Sequence, residues 1–337
     1  MSRPPRPGSA LHGRRERVSL AAVWLLVLGV AAASGWILNS ATFSDADSFA
    51  QAASTMLSSN WHHTYSDSWL QAGPFELLIC LLGRTLGGSL HGEAVAMNMI
   101  GAAALLGVAT VVVQRRWKPL ALAAGGALAI GIVSDMWEWG HPAELFIALT
   151  WLLAARAARR DQLLVAGLLV GLSGGFETWG LLGAPVLLLL PQLRRTIVAG
   201  ALALLATAAV YAPFALGGDF HMFDLSWAIV GGVPGYLFGN GQTFSWPMRL
   251  AEAVVVVSFG SALAWRLRRF GASTWIVPAL TSLCRLALDP VRYGYYWDTS
   301  LVLLLIGVAP LLASPRAAAW RVEAWLRRPQ AVPALVD

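Results

Sequence analysis

The amino-acid sequence predicts an all-α polytopic membrane protein with about ten transmembrane helices. Three observations predict it. The chain is 57% hydrophobic and only 12% charged, whereas water-soluble domains carry about 25% charged residues. Apolar runs of roughly 16 to 22 residues recur from Val18 to Ala313, enough at about 1.5 Å per residue to cross or nearly cross a hydrocarbon core about 30 Å thick. The basic residues fall in short clusters between those runs, as arginine and lysine do at cytoplasmic turns. A backbone in lipid must satisfy its own hydrogen bonds, so the runs are expected to be helices.

Residues 1–17, rich in arginine and proline, are expected to be a disordered cytoplasmic tail. The first crossing, 18–39, lacks a small-residue cleavage site and is expected to be retained. A first outer loop, 40–73, follows. Two apolar segments then lie between Ala72 and Gln114, and parity decides between them. If Arg14, Arg15 and Arg17 share the cytoplasmic side with Arg115, Arg116 and Lys118, the chain between them crosses an even number of times. Residues 74–90 are therefore expected as an in-plane helix in the outer leaflet, which suits its Glu76 and Arg84, and 93–114 as the second crossing.

The remaining crossings fall near 119–134, 143–158, 161–176, 179–192, 196–216, 248–265, 273–288 and 296–313. Outer loops at 135–142, 217–247 and 289–295 and a cytoplasmic tail, 314–337, complete the layout. All lysines and arginines then face the cytoplasm except Arg84, Arg249, Arg285 and Arg292. The hairpin at 161–192 turns around Ser173-Gly174-Gly175, and each arm is only about 20 to 24 Å long. Its outer end stays below the membrane surface and can floor a cavity. The formal charge of +6 is accounted for by the clusters, so nucleic acid is not expected as a partner. Cys80 and Cys284 lack metal-like spacing and read as small buried hydrophobes. No polar stretch is long enough for a soluble domain.

Chemistry-capable side chains concentrate in the outer loops. Ser44-Asp45-Ala46-Asp47-Ser48 places two carboxylates one residue apart. In an extended segment both face one side and can share a cation or supply a base. In a helix they diverge by about 200° and read as an acidic N-terminal turn. His62 and His63 in Trp61-His62-His63-Thr64-Tyr65 suit a sugar or interfacial contact, since adjacent histidines seldom converge on one ion. Glu138, His141 and Glu144 crowd the second outer loop, with Glu144 also placed to meet a helix dipole. Glu177 must face a cavity or a partner, because a carboxylate in the apolar zone costs about 3 kcal/mol. In the last outer turn Arg285 and Arg292, with Asp289 and Tyr295 beside them, run against the positive-inside bias, and guanidinium groups match phosphate oxygens. Asp289 pairing with either arginine is the structural alternative.

An Asp-rich first outer loop, an in-plane helix after it, a second acidic outer loop, short membrane helices and a late arginine together resemble the GT-C superfamily of membrane glycosyltransferases. More narrowly, Gly140-His141-Pro142-Ala143-Glu144 through Gly167 and Gly171 to Trp179, Pro185 and Pro191, with Leu288-Asp289-Pro290 and Tyr295-Tyr296, is similar to actinobacterial members of glycosyltransferase family 87. The resemblance covers roughly residues 20–312. It implies a GT-C-like fold and inverting transfer of a sugar, commonly mannose. The donor would be a polyprenyl-phosphate sugar and the acceptor a glycolipid or exported glycan outside the cytoplasmic membrane. It implies Asp45 or Asp47 as the base for the acceptor hydroxyl and an arginine, Arg285 or Arg292, for the donor phosphate. Relatives often carry a basic residue where Glu177 stands. The motif fixes no cofactor; a divalent cation bridging Asp45, Asp47 and the phosphate is one it leaves room for. Two other classes fit the hydropathy: a lipid or solute transporter, for which the spans supply few mid-membrane polar groups beyond Glu252 and Asn98, and an inactive assembly partner.

Overall fold

The computed structural model describes residues 8–37, 44–291 and 293–314, with side chains from Val18 on. Residues 1–7, part of the first outer loop, Arg292 and the expected C-terminal tail beyond Ser314 lie outside the described residues. The fold is nearly all-α, at 77% helix, and six helices are long and apolar enough to cross a membrane. Large apolar side chains on them, including Leu25, Leu205, Leu250 and Val254, stay mostly exposed, as lipid-facing residues do.

Helix α1 spans Gly8–Ile37. It begins inside the segment expected to be disordered, because Ala10, Leu11 and the arginines up to Arg17 are residue types of good helix propensity that lead directly into the apolar run. Helix α2, Asp45–Met56, starts at Ser44, whose hydroxyl caps it by accepting from the Ala46 amide. Helix α3, Pro74–Gly87, opens on a proline and closes on Gly88 in the left-handed region. Helix α4, Leu90–Val112, is capped by Ser89. The expected crossing at 119–134 is two helices, α5 Trp117–Ala129 and α6 Ile132–Glu138, broken at Gly131 with φ 88°. Residues 135–138, expected in a loop, are therefore helical.

Helix α7, Ala143–Arg159, is the most enclosed element. Helix α8, Leu163–Phe176, ends at Glu177, and the second arm of the hairpin is a 3-10 helix, Thr178–Leu189. Twelve residues are long for this geometry, and the sequence explains them. Gly180 and Gly183 repeat every three residues on the face that meets Ser173 and Trp151. Pro185 withholds an amide that an α-helix would use. The Trp151 indole then donates to the Gly180 carbonyl at 2.8 Å.

Helices α9 Leu193–Gly217, α10 Gly232–Phe238, α11 Trp246–Leu267, α12 Ser273–Leu288 and α13 Asp298–Leu312 complete the chain. The loop at 217–247 is not purely helical or irregular. Strand β1, Trp227–Ala228, pairs antiparallel with β2, Thr243–Phe244, around turns at Gly239 and Gly241 with positive φ.

At one end of the bundle the arginine clusters meet: Arg116 donates to Ser314, Arg159 to the Arg268 carbonyl, and Arg195 pairs with Asp161. The N-termini of α2, α3 and α7 and the C-termini of α8 and α12 gather at the other end, carrying Asp45, Asp47, Glu76, Glu144, Glu177 and Asp289.

Candidate functional site

Two close backbone approaches assemble the site. Gly140 has φ 76°, and a Cβ there would collide with the Ala46 amide and the Ser44 hydroxyl. Its bare backbone lets the α6–α7 turn sit on the start of α2, where the Ser44 hydroxyl donates to the Trp137 carbonyl at 2.6 Å. This brings His141 to Asp45, with Nε2 3.1 Å from Oδ2. Gly73 makes the second approach: its amide donates to the Phe176 carbonyl at 2.6 Å, and a Cβ would strike Gly175, Phe176 and Tyr211. The start of α3 is thereby fastened to the end of α8, so Glu76 and Glu177 face the same space.

His141 stands at the centre. Its Nδ1 lies 3.6 Å from Glu76 Oε1 and 4.0 Å from Glu177 Oε1. Its ring stacks on Tyr295 at 4.5 Å and 6°, and Tyr295 stacks in turn on Tyr293 at 5.5 Å. Phe49 closes the remaining edge. One ligand atom from each of Glu76, His141 and Glu177 lies within 4.8 Å of the others, a spacing able to hold a metal ion.

The electrostatics follow from burial beside like charge. Glu76 is fully buried, which raises its pKa, and the His141 imidazole partly offsets this. Burial, then the charges of Glu76 and Glu144, push Glu177 up to about 8. Burial alone would lower His141. The hydrogen bond to Asp45 and the nearby Glu76 and Glu177 carboxylates outweigh it and raise the imidazole to about 10.

Asp45 and Asp47 part company because the segment is helical: two residues on a helix diverge by about 200°. Asp45 turns to His141, while Asp47 turns to Arg84 at 3.9 Å, and both aspartates are about half exposed. Next to the His141 cluster, Arg285 lies between Glu144 at 3.1 Å and Asp289 at 3.4 Å, its guanidinium 3.8 Å from the Trp179 ring and 4.9 Å from Tyr296. The Thr299 hydroxyl donates to both the carbonyl and the carboxylate of Glu144. The donors of this buried arginine are thus aimed at carboxylates of its own chain.

The structure brings Asp45, His141, Glu177 and Tyr295 together, with Glu144, Arg285 and Asp289 beside them. Glu138 is exposed at the end of α6, where its charge acts on Asp135. His63 pairs instead with Asp219 after α9 at 2.8 Å, and His62 packs against His63 and Trp61. Arg292 lies outside the described residues. Glu76 is the residue that sequence reasoning missed, since a carboxylate in an interfacial helix needs no further role. A carboxylate one turn into an apolar helix that opens on Gly-Pro was the available signal. Both cysteines are free, Cys80 fully buried and Cys284 partly so. No family model matches the sequence, and no curated protein matches it.

Proposed function

We propose that this chain is a GT-C-like membrane glycosyltransferase of about ten crossings, with α3 lying in the outer leaflet and both termini in the cytoplasm. In this reading it moves a sugar from a polyprenyl-phosphate donor to a glycolipid or exported glycan outside the cytoplasmic membrane. The observation that carries it is Asp45: a half-exposed carboxylate just after the first helix, hydrogen-bonded to His141 of a distant loop. The segregation of arginine turns to one end of the bundle and acids to the other supports the sidedness. Glu76 against His141 and Arg84 near Asp47 hold both ends of α3 at the acidic end, which supports an in-plane helix.

The chemistry is coherent with these positions. The acceptor oxygen attacks the anomeric carbon as the carbon–phosphate-oxygen bond breaks, and Asp45 takes the acceptor proton. His141 holds Asp45 in place. Arg84, half exposed beside Asp47, offers positive charge to the departing phosphate, while Arg285 holds the neighbouring wall through Glu144. An apolar cavity of about 340 Å³ between α8 and α9 reaches Phe75, the neighbour of Glu76, and is lined by Leu168, Leu172, Ala206 and Val210. Such a groove suits an isoprenoid tail whose phosphate sits at the headgroup level.

The test is radiolabelled sugar transfer from polyprenyl-phosphate-mannose in membranes. Asp45→Asn is expected to lose about 10²- to 10⁴-fold in rate, the usual worth of a general base. Asp47→Asn, which turns away, should keep most of it. Wild-type transfer by Asp45→Asn would remove the catalytic assignment.

A further inference from the structure

We infer that Glu76, His141 and Glu177 form a binding site for one divalent transition-metal cation, Zn2+ or Mn2+, with Asp45 holding the imidazole from behind. The inference concerns ion binding alone and holds whether or not the chain transfers sugar.

Geometry comes first. The three ligand atoms belong to three separate elements: the first turn of α3, the α6–α7 loop and the break between α8 and the 3-10 helix. His141 Nδ1 stands 3.6 Å from Glu76 Oε1 and 4.0 Å from Glu177 Oε1. Ligand bonds of about 2.1 Å in a tetrahedral arrangement put neighbouring donors about 3.4 Å apart. The His141–Glu76 pair is close to that spacing, the His141–Glu177 pair is wider, and all three atoms lie within 4.8 Å of one another, so the partly exposed Glu177 side chain has to close in by about an ångström to complete the set.

Unmet bonding comes second. Glu76 is fully buried, yet its Oε2 has no hydrogen-bond partner, and His141 Nδ1 has none either. Buried polar atoms are almost always satisfied, and leaving one unmet costs about 1 to 3 kcal/mol. Nδ1 is itself one of the facing ligand atoms, and Oε2 is the second oxygen of the Glu76 carboxylate whose Oε1 faces it, so an ion held by both oxygens of that carboxylate would satisfy both orphan atoms. The other imidazole nitrogen is already engaged by Asp45, which leaves Nδ1 for a ligand. Metal-bound histidines are oriented in the same way, with a carboxylate on the far nitrogen.

The donor set selects the ion. An imidazole nitrogen disfavours Mg2+ and Ca2+, which take oxygen ligands, and suits Zn2+ or Mn2+ when two carboxylates complete the set. Three protein ligands leave a coordination position open. A cation here would also balance Asp45, Glu76 and Glu177, which crowd one imidazole.

The full chain, purified in detergent and stripped with a chelator, is titrated with Mn2+ by electron paramagnetic resonance and with Zn2+ by elemental analysis after gel filtration. One ion per chain is expected. Glu76→Gln and His141→Gln should each weaken binding by more than about a hundredfold, and Asp45→Asn by about 10- to 100-fold. Glu177→Gln alters a partly exposed group and serves if the buried variants fail to fold. The double variant His63→Ala with His221→Ala tests the exposed histidine pairs and should bind as wild type does. Absence of stoichiometric binding of both ions, binding unchanged in Glu177→Gln, or binding lost in the exposed-pair variant would each overturn the inference.

Discussion

Replacing Arg285 by Met should destabilise the protein more than any exposed charge change, and the cost should depend on Glu144. The guanidinium is 6% exposed and donates to Glu144, itself 2% exposed, at 3.1 Å. Removing one partner of such a pair strands the other charge and costs about 3 to 5 kcal/mol. Loss of the stacked contact on Trp179 at 3.8 Å adds about 1 to 2 kcal/mol. Glu144→Gln alone should also be costly, because it leaves the buried cation with Asp289 at 3.4 Å as its remaining ion-pair partner. With both changes together no charge of the pair is stranded, so the double variant should fall short of the sum by at least about 2 kcal/mol. Denaturant unfolding in detergent micelles, followed by tryptophan fluorescence, measures all four corners of the cycle. If the single effects add to within about 0.5 kcal/mol, Arg285 and Glu144 are not a coupled pair, and the view of Arg285 as a wall residue falls with it.

Gly140→Ala must place a side chain at φ 76° and against the Ala46 amide; it should cost more than about 1 kcal/mol and loosen the His141–Asp45 contact, read as a lower melting temperature in micelles. Trp151→Phe removes donation to the Gly180 carbonyl and the Ser173 hydroxyl; a loss of about 1 to 3 kcal/mol is expected, with His63→Phe on the exposed surface as a near-neutral control. Sidedness is testable with introduced cysteines: in intact cells an impermeant maleimide should label Asp67→Cys and Asp219→Cys, while Arg160→Cys should react only after permeabilisation. Labelling of Asp67→Cys and Arg160→Cys from the same side would refute the topology.

The membrane character and the helical class were legible in the chain because both are one-dimensional properties. Apolar run length and the bias of arginine toward turns need no knowledge of what touches what, and the arginine turns do meet at one end of the bundle. The in-plane placement of α3 was an inference from parity, and its packing at both ends is consistent with it. The break at Gly131 and the 3-10 arm at Thr178–Leu189 are not legible in hydropathy, which does not distinguish one apolar backbone geometry from another, and the helical start at Gly8 is not legible in an arginine- and proline-rich composition.

The candidate site divides in the same way. Acid-rich loops showed which residues were available, and Asp45, His141 and Glu177 were among those singled out. Which of them meet was decided by contacts between residues far apart: Asp45 and His141 are separated by 96 positions, Glu144 and Arg285 by 141. Two bare glycine backbones, at 73 and 140, permit those meetings, and the helical turn at Ser44 sends Asp47 the other way. Amino-acid type and spacing determined that this chain lives in lipid and carries its acids together. Only packing could choose the partners, because a hydrogen bond or an ion pair depends on separations of a few ångströms that no local pattern along the chain encodes.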